Sequence, residues 1–350
     1  MELAMGAGWR TYSLLLSGEH PTLPLAEVLA ILEAEGVPFE VLSRDGRLVR
    51  LRAKGLLDSI ERRAALCHMC CAELASGEGG AEDVLEAAKG IDWSFLDGKT
   101  FSVRVYKCGA LSRVSGASLE RAVGEVVAKR SRGRVRLLKP DVEVVVIVTS
   151  KSFSIGTLLF RVDRRGLAAR RPRLRPFFRP SSLDSKLARA LVNLSRCRPG
   201  DVVLDPFAGS GSIGVEAALL GCYSVNLDLD EEMVSGCALN MAFYDVEAGD
   251  VARADSLLWP LREQGVDRIV TDLPYGRTSS THGRTRLELV SGLLSLAGAV
   301  LRGGGVAVFM HERGLEVEDL VSDAGARLID QHEIRVHGGL TRVVRVVAFD

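Results

Sequence analysis

No uninterrupted apolar stretch in this 350-residue chain reaches the ~20 residues a helix needs to cross a bilayer. Met1 to Arg10 lacks a basic patch followed by an apolar run, so no secretory leader is expected. The 7 cysteines (Cys67, Cys70, Cys71, Cys108, Cys197, Cys222 and Cys237) are odd in number, which argues against a disulfide framework. Only Cys67-His68-Met69-Cys70-Cys71 forms a cluster, and no second pair follows it at zinc-site spacing. No metal is therefore expected, and these thiols read as small apolar residues on a helix from Leu57 to Leu74, with metal or redox chemistry as the alternative. Together the absences lead to the expectation of a soluble, cytoplasmic protein without a membrane partner.

With 47% hydrophobic residues, the chain can bury a sizeable core, and its length suits two or three domains. Its 45 basic and 45 acidic residues cancel, but they are unevenly placed. Lys99 to Arg179 holds 20 Lys or Arg against 5 Asp or Glu, a local net of +15, so the remainder carries −15. Such asymmetry points to a polyanionic partner.

Strand and helix alternate along the N-terminal part: strand Thr11 to Ser17, helix Leu23 to Glu35, and a hairpin from Phe39 to Arg52 turning at Asp45-Gly46. The Cys-bearing helix follows, then a break at Ser76 to Ala81 and a short helix leading to Trp93. A second unit reads as strand Phe101 to Tyr106, helix Ser118 to Ser131, and strands Val142 to Thr149 and Ser154 to Val162. Arg164 to Pro180 is dense in Arg and Pro, and its prolines at 172, 176 and 180 mark it as a linker or extended arm. From Ser181 onward helices alternate with strands at Val202 to Asp205, Ser224 to Asp228, Arg268 to Asp272 and Val306 to Met310, with two closing strands after Arg327. Repeated βα units imply an α/β domain, a largely parallel sheet covered by helices on both faces.

Gly209-Ser210-Gly211-Ser212-Ile213-Gly214 follows one strand and opens a helix, and Asp228 lies 19 residues beyond Gly209 at the end of the next strand. Two cofactor classes share this physics: glycines let backbone approach the ligand, and the acid accepts from ribose hydroxyls. An NAD-type turn and an S-adenosylmethionine turn both fit it. Asp205-Pro206-Phe207-Ala208 favours the second, because a carboxylate before the turn repels a pyrophosphate and suits an ammonium or sulfonium. Asp205, Phe207, Gly209, Gly211 and Asp228 are thus candidate cofactor contacts. Asp255 fits either an acceptor for the adenine amine or a turn-capping Asp.

Thr271-Asp272-Leu273-Pro274-Tyr275-Gly276 ends a strand on the same side of the sheet. An exocyclic amine is a poor nucleophile because its lone pair is delocalised into the ring. The Asp272 carboxylate and the carbonyl of Leu273 or Pro274, both accepting from the amine, would favour a pyramidal nitrogen and in-line attack on a methyl group. Pro274 stiffens the turn, and Tyr275 can stack on a flat base for ~1–3 kcal/mol. The Thr278–Gly283 loop would close over the base, with His282 read as solvated. An ordinary Asp-Pro turn is the plain alternative.

These motifs, with Arg175-Pro-Phe-Phe-Arg-Pro180, Lys186 to Ser195 and Ser17-Gly-Glu-His-Pro-Thr-Leu-Pro24, resemble the archaeal THUMP-domain tRNA (guanine(10)-N2)-dimethyltransferases. The resemblance covers nearly the whole chain. It implies an N-terminal α+β (ferredoxin-like) module at 1–92, a THUMP RNA-binding domain at 93–165, a basic linker at 166–181 and a Rossmann-fold class I methyltransferase domain at 182–350. It further implies S-adenosyl-L-methionine contacts from the Asp205 turn, Asp228 and Asp255, catalysis by Asp272, and a THUMP unit docking the tRNA acceptor end. Leu273 stands where many members carry a second proline. Arg170, Arg171 and Arg173 are candidate RNA contacts, neutralising phosphates largely without regard to sequence; a solvated face is the bland alternative. The expected product is N2-methylated, then dimethylated guanosine 10, made by a monomer. Methylation of another tRNA guanosine such as guanosine 6, a DNA amine methyltransferase and a non-catalytic RNA-binding protein are the competing functions.

Overall fold

The computed structural model describes residues 8–109, 115–258, 261–274, 283–337 and 340–350. The chain forms two units, one running to residue 162 except for 26–35 and 63–65, which pack with the second, 163–350. In the first, β1 (Trp9–Leu16) buries its last five residues. It is followed by α1 (Leu23–Ala34), most of which belongs to the second unit, and by the hairpin β2 (Phe39–Asp45) and β3 (Leu48–Lys54), which turns at Gly46 with φ 57° as Asp45-Gly46 predicts.

The expected helix from Leu57 to Leu74 is replaced by a short α2 (Asp58–Arg63) and the strand β4 (Cys67–Glu78). Pairing decides this: β4 is antiparallel to β1 on one side, Cys70 opposite Leu14, and to β8 (Ser152–Arg161) on the other, Cys70 opposite Phe160. A run buried on both faces lacks the alternation that marks a strand. Cys67, Cys70 and Cys71 are all buried there, and burial pushes the Cys71 thiol up to about 12.

Between these strands come α3 (Ala81–Gly90), β5 (Thr100–Lys107), α4 (Gly116–Arg130), β6 (Arg134–Val135) and β7 (Val142–Val148). In α4, Leu119, Val123 and Val127 repeat every fourth residue and bury one stripe against Phe101, Val144 and Trp93. One eight-stranded sheet, β2-β3-β1-β4-β8-β7-β5-β6, runs through the whole unit. The separation expected between 1–92 and 93–165 is thus crossed by β4 and β8, which pair from Met69–Arg161 to Glu78–Ser152.

The expected linker at 166–181 is also folded. Asp163 caps α5 (Arg164–Ala169) by accepting the Arg165 N–H at 2.9 Å, and Pro172 opens a 3-10 turn, a position that needs no N–H. The prolines bar a long helix, not one that ends before them.

The second unit continues with α6 (Ser185–Leu194), β9 (Val202–Asp205), α7 (Ser212–Ala218), β10 (Tyr223–Asp228), α8 (Glu231–Phe243), β11 (Gly249–Arg253) and β12 (Val266–Asp272). It closes with α9 (Arg286–Val300), β13 (Leu301–Glu312), α10 (Glu318–Asp323), β14 (Ala326–His337) and β15 (Leu340–Phe349). The sheet order is β11-β10-β9-β12-β13-β15-β14, parallel from β11 to β13 and antiparallel at β15 and β14. Ile269, Phe309 and Val347 pack against Leu289, Leu293 and Leu296 of α9. Chain order reverses between β9 and β12, and such a switch point opens a crevice beyond the carboxyl ends of the strands. Among the described residues no helix is long and apolar enough to cross a membrane.

Candidate active site

A cavity of about 530 Å³ lies in that crevice, lined among others by Asp205, Phe207, Gly209, Asp228, Asp255, Asp272 and Pro274. All seven were singled out from sequence, and the fold brings them together from four strand ends. Residues 275–282, with Tyr275 and His282, lie outside the described residues.

Gly211 is not among the residues that line the cavity, although its neighbours Ser210 and Ser212 are. It adopts φ 78° at the N-cap of α7, and a Cβ there would come within 2.5 Å of Cys237 Sγ. Its smallness and left-handed backbone serve the turn and the packing of α8. Gly214 is explained similarly, since a Cβ would come within 1.9 Å of Asn226 Oδ1 on β10.

Asp205 ends β9 with 2% exposure. Its Oδ1 accepts the Thr271 hydroxyl at 2.7 Å and the Phe207 N–H at 3.2 Å. Burial pushes its carboxyl up to about 7, and the Asp228 and Asp272 carboxylates push the same way; Thr271 and Phe207 pull against them. Asp228 accepts the Gly209 N–H at 2.8 Å and the Asp230 N–H at 2.9 Å, one on each oxygen. A carboxylate with about four acceptor sites keeps capacity for two hydroxyls.

Two arginines absent from any motif complete the site. Arg284 donates to Asp255 Oδ1 at 3.1 Å. Arg342, on β15, places Nη1 3.4 Å from Asp272 Oδ2. Both line the cavity. The one sequence signal for Arg342 was a charge inside an apolar strand, Leu340 to Phe349.

The basic arm divides. Arg170 is corrected from RNA contact to internal strut: its Nε and Nη2 donate to Glu216 at 2.7 and 3.0 Å, and Arg189 donates to the same fully buried carboxylate at 2.7 Å. Arg171 and Arg173 are exposed. Farther along, Asn240 donates to the carbonyls of Phe177 at 2.8 Å and Ser210 at 2.9 Å, tying the arm to the glycine turn.

The donor set fits S-adenosylmethionine. Six acids line the cavity against three arginines, and this excess of negative charge suits a ligand with a cationic ammonium and sulfonium better than a pyrophosphate. Phe207, Leu229 and Met233 give apolar walls for a flat purine, and Asp228 stands where a ribose diol is held.

Fold and cavity together define a methyltransferase. Residues 172–344 match the model of the RMKL-like methyltransferase domain, and residues 79–158 match that of the THUMP domain. The chain is 36% identical to the tRNA (guanine(10)-N2)-dimethyltransferase of Methanothermobacter thermautotrophicus over 95% of its own length and 98% of the relative's. It is 34% identical to the tRNA (guanine(6)-N2)-methyltransferase of Thermus thermophilus over 81% of this chain and 82% of that one. Among solved structures, TrmN from Thermus thermophilus superposes with TM-score 0.54 at 27% identity, covering 97% of this chain and 99% of the other. SMU.472, a putative methyltransferase solved with SAH, shares the fold at TM-score 0.52 and 13% identity over 96% and 98%. This chain belongs to the tRNA (guanine(10)-N2)-dimethyltransferase family.

Proposed function

We propose that the chain transfers methyl groups to the exocyclic N2 of guanosine 10 in tRNA, first one and then a second, as a cytoplasmic monomer. The observation that carries the reading is the Asp272 carboxylate at the end of β12, facing the same cavity as Asp205 and Asp228. When bound, S-adenosylmethionine supplies an electrophilic methyl on a sulfonium. Asp205 and Asp228 hold the donor by charge and by ribose hydrogen bonds, and Phe207 walls its purine. Asp272 accepts one N–H of the target amine, and the carbonyl of Leu273 or Pro274 accepts the other, so the lone pair is released from the ring. Asp272 would take up the proton that the methylated amine sheds. Nothing in this sequence calls for a covalent nucleophile or a metal.

On the RNA side, the exposed Arg171 and Arg173 and the basic stretch around Arg132, Arg134 and Arg136 supply phosphate contacts, with the THUMP unit docking the tRNA. The target base is extruded from its stack to reach the cavity. Incubating unmodified tRNA with enzyme and S-adenosylmethionine, then mapping modified nucleosides by mass spectrometry, tests the reading. N2-dimethylguanosine at position 10 is expected. Methylation at position 6 would support instead the activity named for the Thermus relative, and labelling of duplex DNA alone would defeat the RNA assignment.

A further inference from the structure

The cavity wall presents a second group beside the proposed catalytic carboxylate. β13 lies between β12 and β15, with Asp272 opposite Met310 and Met310 opposite Val344. Arg342 sits two residues before Val344 and reaches back across β13 to Asp272, Nη1 to Oδ2 at 3.4 Å. Both side chains are largely buried, 14% and 16% exposed, yet both line the cavity. In register with Arg342 on β13 is Glu312, whose own ion pair at 2.6 Å is with Arg286. The wall therefore runs from an acceptor pair to a fork of donors, fixed on neighbouring strands of one sheet.

We infer that Arg342 determines base specificity by donating to O6 of the target guanine while Asp272 accepts from its N1–H and N2–H. This rests on the proposed guanine-N2 activity. Guanine's Watson–Crick edge offers donor, donor, acceptor in a row, and carboxylate followed by guanidinium offers acceptor, acceptor, donor. Adenine and cytosine also carry an exocyclic amine, but the ring nitrogen next to it is an acceptor. Its lone pair would face an Asp272 oxygen, and no O6 would meet Arg342. A guanidinium suits this place because its planar fork can serve a carboxylate and a carbonyl in one plane, which a lysine's point charge does not. A site built to hydrogen-bond a substrate group rejects analogues lacking it far more strongly than an apolar pocket rejects a misfit.

The test uses tRNA whose target guanosine is replaced by 2-aminopurine riboside, which keeps the amine but lacks O6 and the N1 proton. Single-turnover kcat/KM is compared for the two RNAs with wild type, Arg342→Gln and Arg342→Lys, and S-adenosylmethionine binding is measured by calorimetry. Wild type should prefer guanosine by about a thousandfold or more. Arg342→Gln should lose about a hundredfold on guanosine and less than about threefold on 2-aminopurine, with Arg342→Lys between and cofactor binding unchanged. Equal losses on both RNAs would reduce Arg342 to a support for Asp272 and overturn the inference. So would a wild-type enzyme that methylates both equally, a result that needs no folded variant. If wild type modifies a guanosine other than position 10, the site assignment fails separately, and the same comparison is made at the guanosine it modifies.

Discussion

Asp205 is the residue where burial and charge bear most directly on function. Its carboxyl, pushed up to about 7, stays protonated in the folded chain through a range where the unfolded chain has released that proton. The raised value makes the ligand-free fold lose stability as pH rises from ~4 toward 7, with no further loss above 7. A cationic donor selects the ionised form, so cofactor binding should release a proton below pH 7 and weaken by up to ~tenfold per pH unit on acidification. Calorimetry between pH 6 and 8, in two buffers of different ionisation heat, checks this; Asp205→Asn should bind weakly and without pH dependence. Affinity that ignores pH in the wild type would remove Asp205 from the cationic end of the cofactor. At this scale the sequence was informative: every acid proposed from the two motifs reached the cavity. It did not single out Arg284 or Arg342, because each meets its acid through folding across many intervening residues and belongs to no motif.

At the scale of elements, one buried carboxylate, Glu216, joins Arg170 of the arm to Arg189 of α6. Removing it in Glu216→Ala strands Arg170 and Arg189, 17% and 7% exposed, at a cost of about 3–5 kcal/mol. Urea unfolding should show a lower midpoint with an unchanged slope. Arg170→Ala should lose stability while keeping tRNA affinity. The double replacement of Arg171 and Arg173 should do the reverse, leaving stability within about 0.5 kcal/mol and lowering the slope of log affinity against log salt by about 1–2. An Arg170→Ala protein that folds normally but binds tRNA poorly would restore Arg170 to the RNA surface. Elements with local signals were legible here: the hairpin at Gly46, the amphipathic stripe of α4, the turn before α7. β4 was not, because burial on both faces erased its period, and β11 was not, because Gly249–Arg253 lies mostly exposed at a sheet edge.

For the whole molecule, sequence gave the order of the methyltransferase and RNA-binding parts but not how far one sheet extends. β4 and β8 join residues on either side of position 92, so a chain beginning at residue 93 should leave β8 as a raw edge and aggregate on expression; a soluble, monodisperse fragment would contradict the shared sheet. The closing strand β15 was legible, but its antiparallel place beside β13 was not, and that place is what carries Arg342 to the cavity. The +15 segment should make tRNA binding fall steeply with salt, as counterion release requires. The central claim remains that Asp272 acts on the target amine and does not hold the cofactor. Its most direct test is methyl transfer to tRNA and S-adenosylmethionine affinity measured side by side on wild type and Asp272→Ala. The expected result is transfer reduced by about a thousandfold or more with affinity changed less than about threefold. Transfer that persists, or that falls only in proportion to lost cofactor binding, would contradict the account.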